Sequence, residues 1–180
     1  MSRIITISVK AARLKFIECG PICIANDCTA RCCDAKTSPL GIKVTILPDE
    51  VKQIEQKGFV VIDGYLQPRK DERLCPFKTE GHLCNLHGTK FKPFGCIVSP
   101  FMLTKNNSLV IRNRYKMLPC YDKEHGQPAY KVFRSSLVEI FGEGRTNSIT
   151  KVLDWGKRNL SVTITDDVYK KLTTREAILK

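Results

Sequence analysis

Eight of the nine cysteines in this 180-residue chain fall into two groups. The first group places five thiols within a stretch of fifteen residues, at Cys19, Cys23, Cys28, Cys32 and Cys33. The second group follows some forty residues later, at Cys75, Cys84 and Cys96. Closely spaced cysteines with turn-forming neighbours allow several sulfurs to converge on one metal, at about 2.3 Å. Soft thiolates favour zinc or iron–sulfur over magnesium or calcium. We therefore predict that all eight thiols are metal ligands, and that the cofactor is zinc or an iron–sulfur cluster (4Fe-4S).

Disulfides and scattered buried thiols are the alternative uses of so many cysteines. The first ten residues lack the apolar core of a secretion signal, so we expect the cytoplasm, an intracellular and reducing compartment. Clustered cysteines in that compartment are more often metal ligands than disulfides. The first 17 residues carry four basic and no acidic side chains, which leaves import into an organelle open. We expect no membrane contact, because no apolar run approaches the roughly 18–20 residues of a membrane span.

The formal net charge of +12 is unevenly distributed, since residues 76–120 hold seven basic residues and one acidic residue. Four thiolates around a divalent zinc, or around an oxidised four-iron cluster, leave a net charge of about −2. Basic residues that neutralise such a site explain part of the excess. The remainder favours nucleic acid or another polyanion as a partner. The face that would bind it consists of Lys90, Lys92, Lys105, Arg112, Arg114 and Lys116.

The patterns of apolar residues predict a small single domain of the α+β class. Predicted strands lie in residues 1–10, 42–47, 59–62, 108–115 and 160–164. One predicted helix begins at Pro48, and three more cover residues 130–141, 148–155 and 166–180. We assign residues 1–120 to a cysteine-cluster metal-binding domain and residues 121–180 to a C-terminal α+β extension packed on it. Residues 64–94 show little regular pattern, and we expect a bound metal to order them.

The two cysteine groups together resemble a known protein family. The matching segments are Cys28-x3-Cys32-Cys33 preceded by Cys23, then Cys75-Pro-Phe, Cys84-Asn-Leu-His87, Lys92-Pro-Phe-Gly-Cys96 and Pro100. Over residues 19–100 this order resembles the YkgJ-like cysteine-cluster family, which is described as zinc- or iron-chelating. The first group departs from the family by wider spacing and one extra cysteine, and His87 and Lys92 replace the usual Tyr and Arg. The resemblance implies chelation by these cysteines, and the related cluster of flagellin lysine N-methylases suggests four irons.

The histidines and the ninth cysteine are further candidate ligands or reactive residues. His82 and His87 flank Cys84, so each is either a mixed ligand or an exposed loop histidine. Cys120 lies apart from both groups and is predicted to be a buried thiol, with a late ligand or a reactive thiol as the alternative. His125 is predicted to be a turn residue.

Three classes of function remain, because no Ser-His-Asp, paired-carboxylate, Walker or Rossmann pattern is present. The first is a metal-binding protein whose centre is structural or electron-carrying. The second is a nucleic-acid or ribonucleoprotein binder that is held together by metal. The third is a cluster-dependent enzyme, methylase-like or redox, so whether the chain is an enzyme stays open.

Overall fold

The computed structural model describes residues 1–18, 32, 44–68, 75–81, 84–156 and 158–178. Its strands are β1 Ser2–Ile7, β2 Lys15–Phe16, β3 Val61–Ile62, β4 Tyr65–Leu66, β5 Phe101–Leu103, β6 Ser108–Ile111, β7 Gln127–Pro128 and β8 Leu160–Thr165. Its helices are α1 Val9–Ala12, α2 Pro48–Glu55, α3 Phe94–Ile97, α4 Ala129–Val132, α5 Arg134–Phe141, α6 Glu143–Trp155 and α7 Asp166–Ile178, with a 3-10 helix at Asn113–Met117. None of the helices in the described residues has the length and apolar character needed to cross a membrane.

A four-stranded mixed sheet with the order β5–β6–β1–β8 forms the centre of the fold. Strand β1 runs parallel to β6 and antiparallel to β8, with which it pairs along its whole length. The first strand of the chain therefore lies between strands from the middle and from the end of the sequence. Together with the helices, this sheet confirms the predicted α+β class.

One face of the sheet is covered by helices. Ile5 and Ile7 in β1 and Leu109 and Ile111 in β6 are buried, whereas Ile4, which precedes Ile5 and points to the other face, is 70% exposed. This alternation is the expected consequence of a strand with one buried face. The buried face joins α5, α6 and α7 in a main core of 22 buried residues.

A separate small core lies beside the main one. Its six buried members are Ile46, Ile54, Leu66, Cys75, Phe77 and Leu86. Helix α2 and the β3–β4 hairpin frame it. The hairpin turns at Asp63 and Gly64, both of which have positive φ angles, of 51° and 76°. That conformation suits Asp and Gly, which explains the Asp-Gly pair at this point.

The observed bounds of three of the predicted elements differ from the prediction in ways that the packing explains. The strand predicted at residues 42–47 is reduced in residues 44–47 to one isolated bridge, at Thr45, because the neighbouring strand β4 has only two residues. Residues 42 and 43 lie outside the described residues. The strand predicted to end at Tyr115 ends at Ile111, and the chain then tightens into the 3-10 helix. The helix predicted over residues 130–141 is divided at Phe133. The Phe133 ring packs edge-on against Phe16, at a centroid distance of 5.0 Å.

Helix α6 offers a direct test of the main core, because Leu153 is 1% exposed and the adjacent Val152 is 47% exposed. We expect Leu153→Ala to lower the free energy of unfolding by about 2–5 kcal/mol, since it leaves a cavity. Val152→Ala should change it by about 0.5 kcal/mol or less. Equilibrium urea unfolding measures both, and equal effects would contradict this assignment of the buried face.

Candidate metal centre

The second cysteine group is divided between the small core and helix α3. Cys75 is 5% exposed and belongs to the small core, against which Cys84 also packs. Cys96 lies in α3, between Phe94 and Val98 of the main core. The charges of Cys75 and Cys84 act on the Cys96 thiol, so the three side chains lie within electrostatic range of one another. Three separate turns of the chain thus carry thiols that act on one another electrostatically.

The same local hydrogen bond ties down the backbone at each of these cysteines. The carbonyl oxygen of the cysteine accepts from the N–H three residues later, which closes a tight turn. The N···O distances are 2.9 Å for Lys78 to Cys75, 3.0 Å for His87 to Cys84 and 3.3 Å for Ser99 to Cys96. A β-bridge between Lys78 and Cys84 then joins the first two turns. The thiols are therefore carried on backbone that is held in place locally.

The electrostatic setting of Cys96 is unfavourable to an isolated thiolate. Burial, with smaller contributions from the neighbouring Cys75 and Cys84, raises the pKa of the Cys96 thiol to about 12, and Lys92 and Arg175 oppose the shift. A thiol in this setting keeps its proton at neutral pH. A cation that bound here would displace that proton, so binding would release protons and depend on pH.

A half-buried carboxylate holds the start of the helix that carries Cys96. The two side-chain oxygens of Glu50, in the first turn of α2, accept from two backbone N–H groups: Leu47 at 2.9 Å and Phe94 at 2.6 Å. Leu47 precedes α2, and Phe94 begins α3, so one side chain joins the N-terminal ends of both helices. Burial raises the pKa of Glu50, while the two hydrogen bonds lower it.

A close backbone approach explains the glycine before Cys96. A Cβ atom at Gly95 would lie 2.5 Å from both the carbonyl and the hydroxyl oxygen of Thr45. Thr45 is itself 2% exposed, so it has no room to move away. Gly95 is therefore required for α3 to lie against the segment that leads into α2.

The predicted ligands and their alternatives divide into those with a described position and those without. Cys19, Cys23, Cys28, Cys33 and His82 lie outside the described residues. Among the described residues, Cys32 is exposed, and no three His, Cys, Asp or Glu side chains lie in position to hold a metal ion. Metal binding by either cysteine group therefore stays a prediction.

The remaining candidates have simpler roles. His87 is exposed. His125 is also exposed and belongs to a turn, in which its backbone N–H donates to Asp122 at 2.9 Å. Cys120 is half-buried against the main core, and its carbonyl accepts from the backbone N–H of Ile17 at 2.8 Å.

The predicted basic face is only partly on the surface. Lys90, Lys105 and Lys116 are exposed, and Lys92 is half-buried. Arg112 is directed inward, with its side chain 12% exposed and a 2.7 Å ion pair to Glu176. Arg114 donates to the Ser99 hydroxyl at 2.7 Å. Binding of a polyanion therefore rests on the lysines and stays a prediction.

Sequence analysis missed three residues that shape this site: Glu50, Thr45 and Arg175. Glu50 was recognisable, because Glu three residues after the residue that precedes a helix is the second half of a capping box. Arg175 continues the spacing of Val168 and Leu172 on the buried face of α7, although an arginine is ordinarily assigned to solvent. Thr45 had no signal, since its burial depends on a glycine fifty residues away.

Comparison with known protein families, with curated proteins and with solved structures found no match.

Removing the Glu50 carboxylate should release α3 from α2. We expect Glu50→Ala to lower the free energy of unfolding by about 1–3 kcal/mol, because two buried N–H groups lose their acceptor. Hydrogen exchange at the Phe94 amide should accelerate with it. The matched control is Glu55→Ala, an exposed position on the same helix. Similar losses in the two variants would show that helix formation, and not the bridge, is affected.

The Glu50 bridge should also depend on pH in a defined direction. A raised pKa in the folded state means that the stability gained from this group is fully present below the ordinary value of 4.5 and is lost as pH rises through the folded pKa. The cost of Glu50→Ala should therefore be larger at pH 4.5 than at neutral pH. Urea unfolding at a series of pH values measures this, and a cost that grows with pH would contradict it.

Proposed function

We propose that this chain is a metal-binding protein whose centre is built from cysteine thiolates of both groups, with zinc or a 4Fe-4S cluster as the bound species. The observation that carries the proposal is that three tight turns, two of them joined by the Lys78–Cys84 bridge, bring Cys75 and Cys84 within electrostatic range of Cys96. The first group would complete the shell from its five thiols, at Cys19, Cys23, Cys28, Cys32 and Cys33.

The chemistry of the donor set supports a centre that is structural or electron-carrying. Thiolates are soft ligands that suit zinc and iron–sulfur centres. Eight thiols are enough to fill every position of one or two four-coordinate sites, so no open position is required for a substrate. A shell of this kind also makes the metal a weak Lewis acid.

The small size of the core around these thiols is the reason why a bound metal would stabilise the fold. Among the residues that the structure describes, the small core has six buried members, against 22 in the main core. A core of that size offsets little of the entropy lost when the surrounding loops are ordered. Metal binding would add the missing free energy, because binding to the folded state alone stabilises that state. Reduced thiols are a condition of this function, which is consistent with a location in the cytoplasm.

Metal analysis of anaerobically purified protein tests the proposal. We expect zinc or iron with sulfide in a fixed ratio to protein, and visible absorption distinguishes the two. Cys75→Ser, Cys84→Ser and Cys96→Ser should each lower the metal content. The matched control is Cys120→Ser, which removes a thiol outside both groups and should leave the metal content unchanged.

Two results would contradict the proposal. One is protein that holds no metal and gains none when zinc, or iron and sulfide, are supplied under reducing conditions. The other is a metal content that is insensitive to the three substitutions in the second group. A metal content that falls with Cys120→Ser alone would place the centre elsewhere in the chain.

A further inference from the structure

Three arginine side chains gather on the C-terminal side of the Cys96 turn. Arg175 reaches the turn from α7 and Arg114 from the segment that follows β6, while Arg112 lies beside them and pairs with Glu176. The repulsion among the three lowers the pKa of both Arg175 and Arg112, and burial is the larger cause in each case. These charges therefore lie close together in a part of the protein from which water is largely excluded.

The arginines hold the turn by direct hydrogen bonds. The Arg175 guanidinium donates from Nη1 to the carbonyl of Phe101 at 2.8 Å, and from Nη2 to the carbonyl of Ser99 at 3.4 Å. Arg114 donates to the Ser99 hydroxyl at 2.7 Å. Ser99 in turn donates its backbone N–H to Cys96. The cationic cluster is thus connected to the Cys96 backbone through one residue.

The charge of this cluster is incompletely balanced. Glu176 forms ion pairs with Arg112 at 2.7 Å and with Arg175 at 3.6 Å. Glu176 thus pairs with two of the three arginines, and Arg112, Arg114, Arg175 and Glu176 together carry a net charge of +2. Within the described part of the chain, the Nε groups of Arg112 and Arg175 have no hydrogen-bond partner. Buried positive charge without an equal counter-charge is costly to a fold.

We infer that Arg175, together with Arg112 and Arg114, supplies the counter-charge for an anionic metal–thiolate centre at Cys96. The inference rests on the proposed function, because only thiolates held by a metal would provide the negative charge. The charge of Arg175 already acts on the Cys96 thiol. Arg175 is then a positioning residue that acts through the turn and through its charge, without contacting the metal.

Cobalt(II) binding to the reduced full-length chain tests this inference, with thiolate-to-cobalt absorption as the readout. Arg175→Gln removes one positive charge and should weaken cobalt binding about tenfold, the effect of a unit charge acting at short range inside a protein. Glu176→Gln removes the opposing negative charge and should tighten binding by a similar factor. The pH at which half the cobalt is bound should rise in the first variant and fall in the second.

Two further variants separate charge from folding. Arg175→Lys keeps the charge and should recover most of the cobalt affinity, even if its altered hydrogen bonds lower the stability. Arg134→Gln is the matched control, because Arg134 is exposed and pairs with Glu143 in a different part of the protein. It should bind cobalt as the wild-type chain does.

The possible failures are distinguishable. Wild-type protein that binds no cobalt would overturn the proposed function and this inference with it. Wild-type binding that Arg175→Gln and Glu176→Gln leave unchanged, or shift in the same direction, would overturn the inference alone. Glu176→Gln keeps both buried arginines, so it remains informative if Arg175→Gln does not fold.

Discussion

The two hydrogen bonds that the Glu50 carboxylate accepts join helix α2 to helix α3, and the rest of the site is built on this bridge. Backbone N–H groups at the start of a helix have no partner within the helix, and a buried helix end must find one elsewhere. Glu50 accepts from such groups at both α2 and α3. The small core is attached to α2, and Cys96 is carried by α3, so this bridge ties the small core to the helix that carries Cys96.

The charges around α3 are unbalanced in a way that a metal–thiolate centre would correct. Burial and the neighbouring thiols oppose a negative charge on Cys96, which keeps its proton. The arginines place an excess of positive charge beside the turn that follows Cys96. That excess is costly by itself, because charge in a medium of low dielectric needs a partner. Thiolates held by a metal would supply the partner, and this complementarity connects the C-terminal helix with the cysteines in the middle of the chain.

Several elements were predictable because their signals are local. The alternation through Ile5 and Ile7 identified β1, and the proline that opens α2 identified that helix. Elements that depend on distant partners were not predictable in the same way. Phe133 interrupts a helical pattern because its ring packs against Phe16, which is remote in sequence. The segment around Thr45 resembles a strand in composition, but its position is determined by Gly95 and by the short strand beside it.

The sequence by itself determined the chemistry that is available: clustered thiols, a basic segment beside them and an α+β pattern of elements. Residue types and spacings carry that information without a fold. Only the tertiary structure decided that Cys75 and Cys84 lie within electrostatic range of Cys96, that Glu50 links α2 to α3, and that Arg175 is buried against the turn after Cys96. The physical reason is that these relations join residues that are far apart in the chain, so packing and burial create them and no local pattern records them.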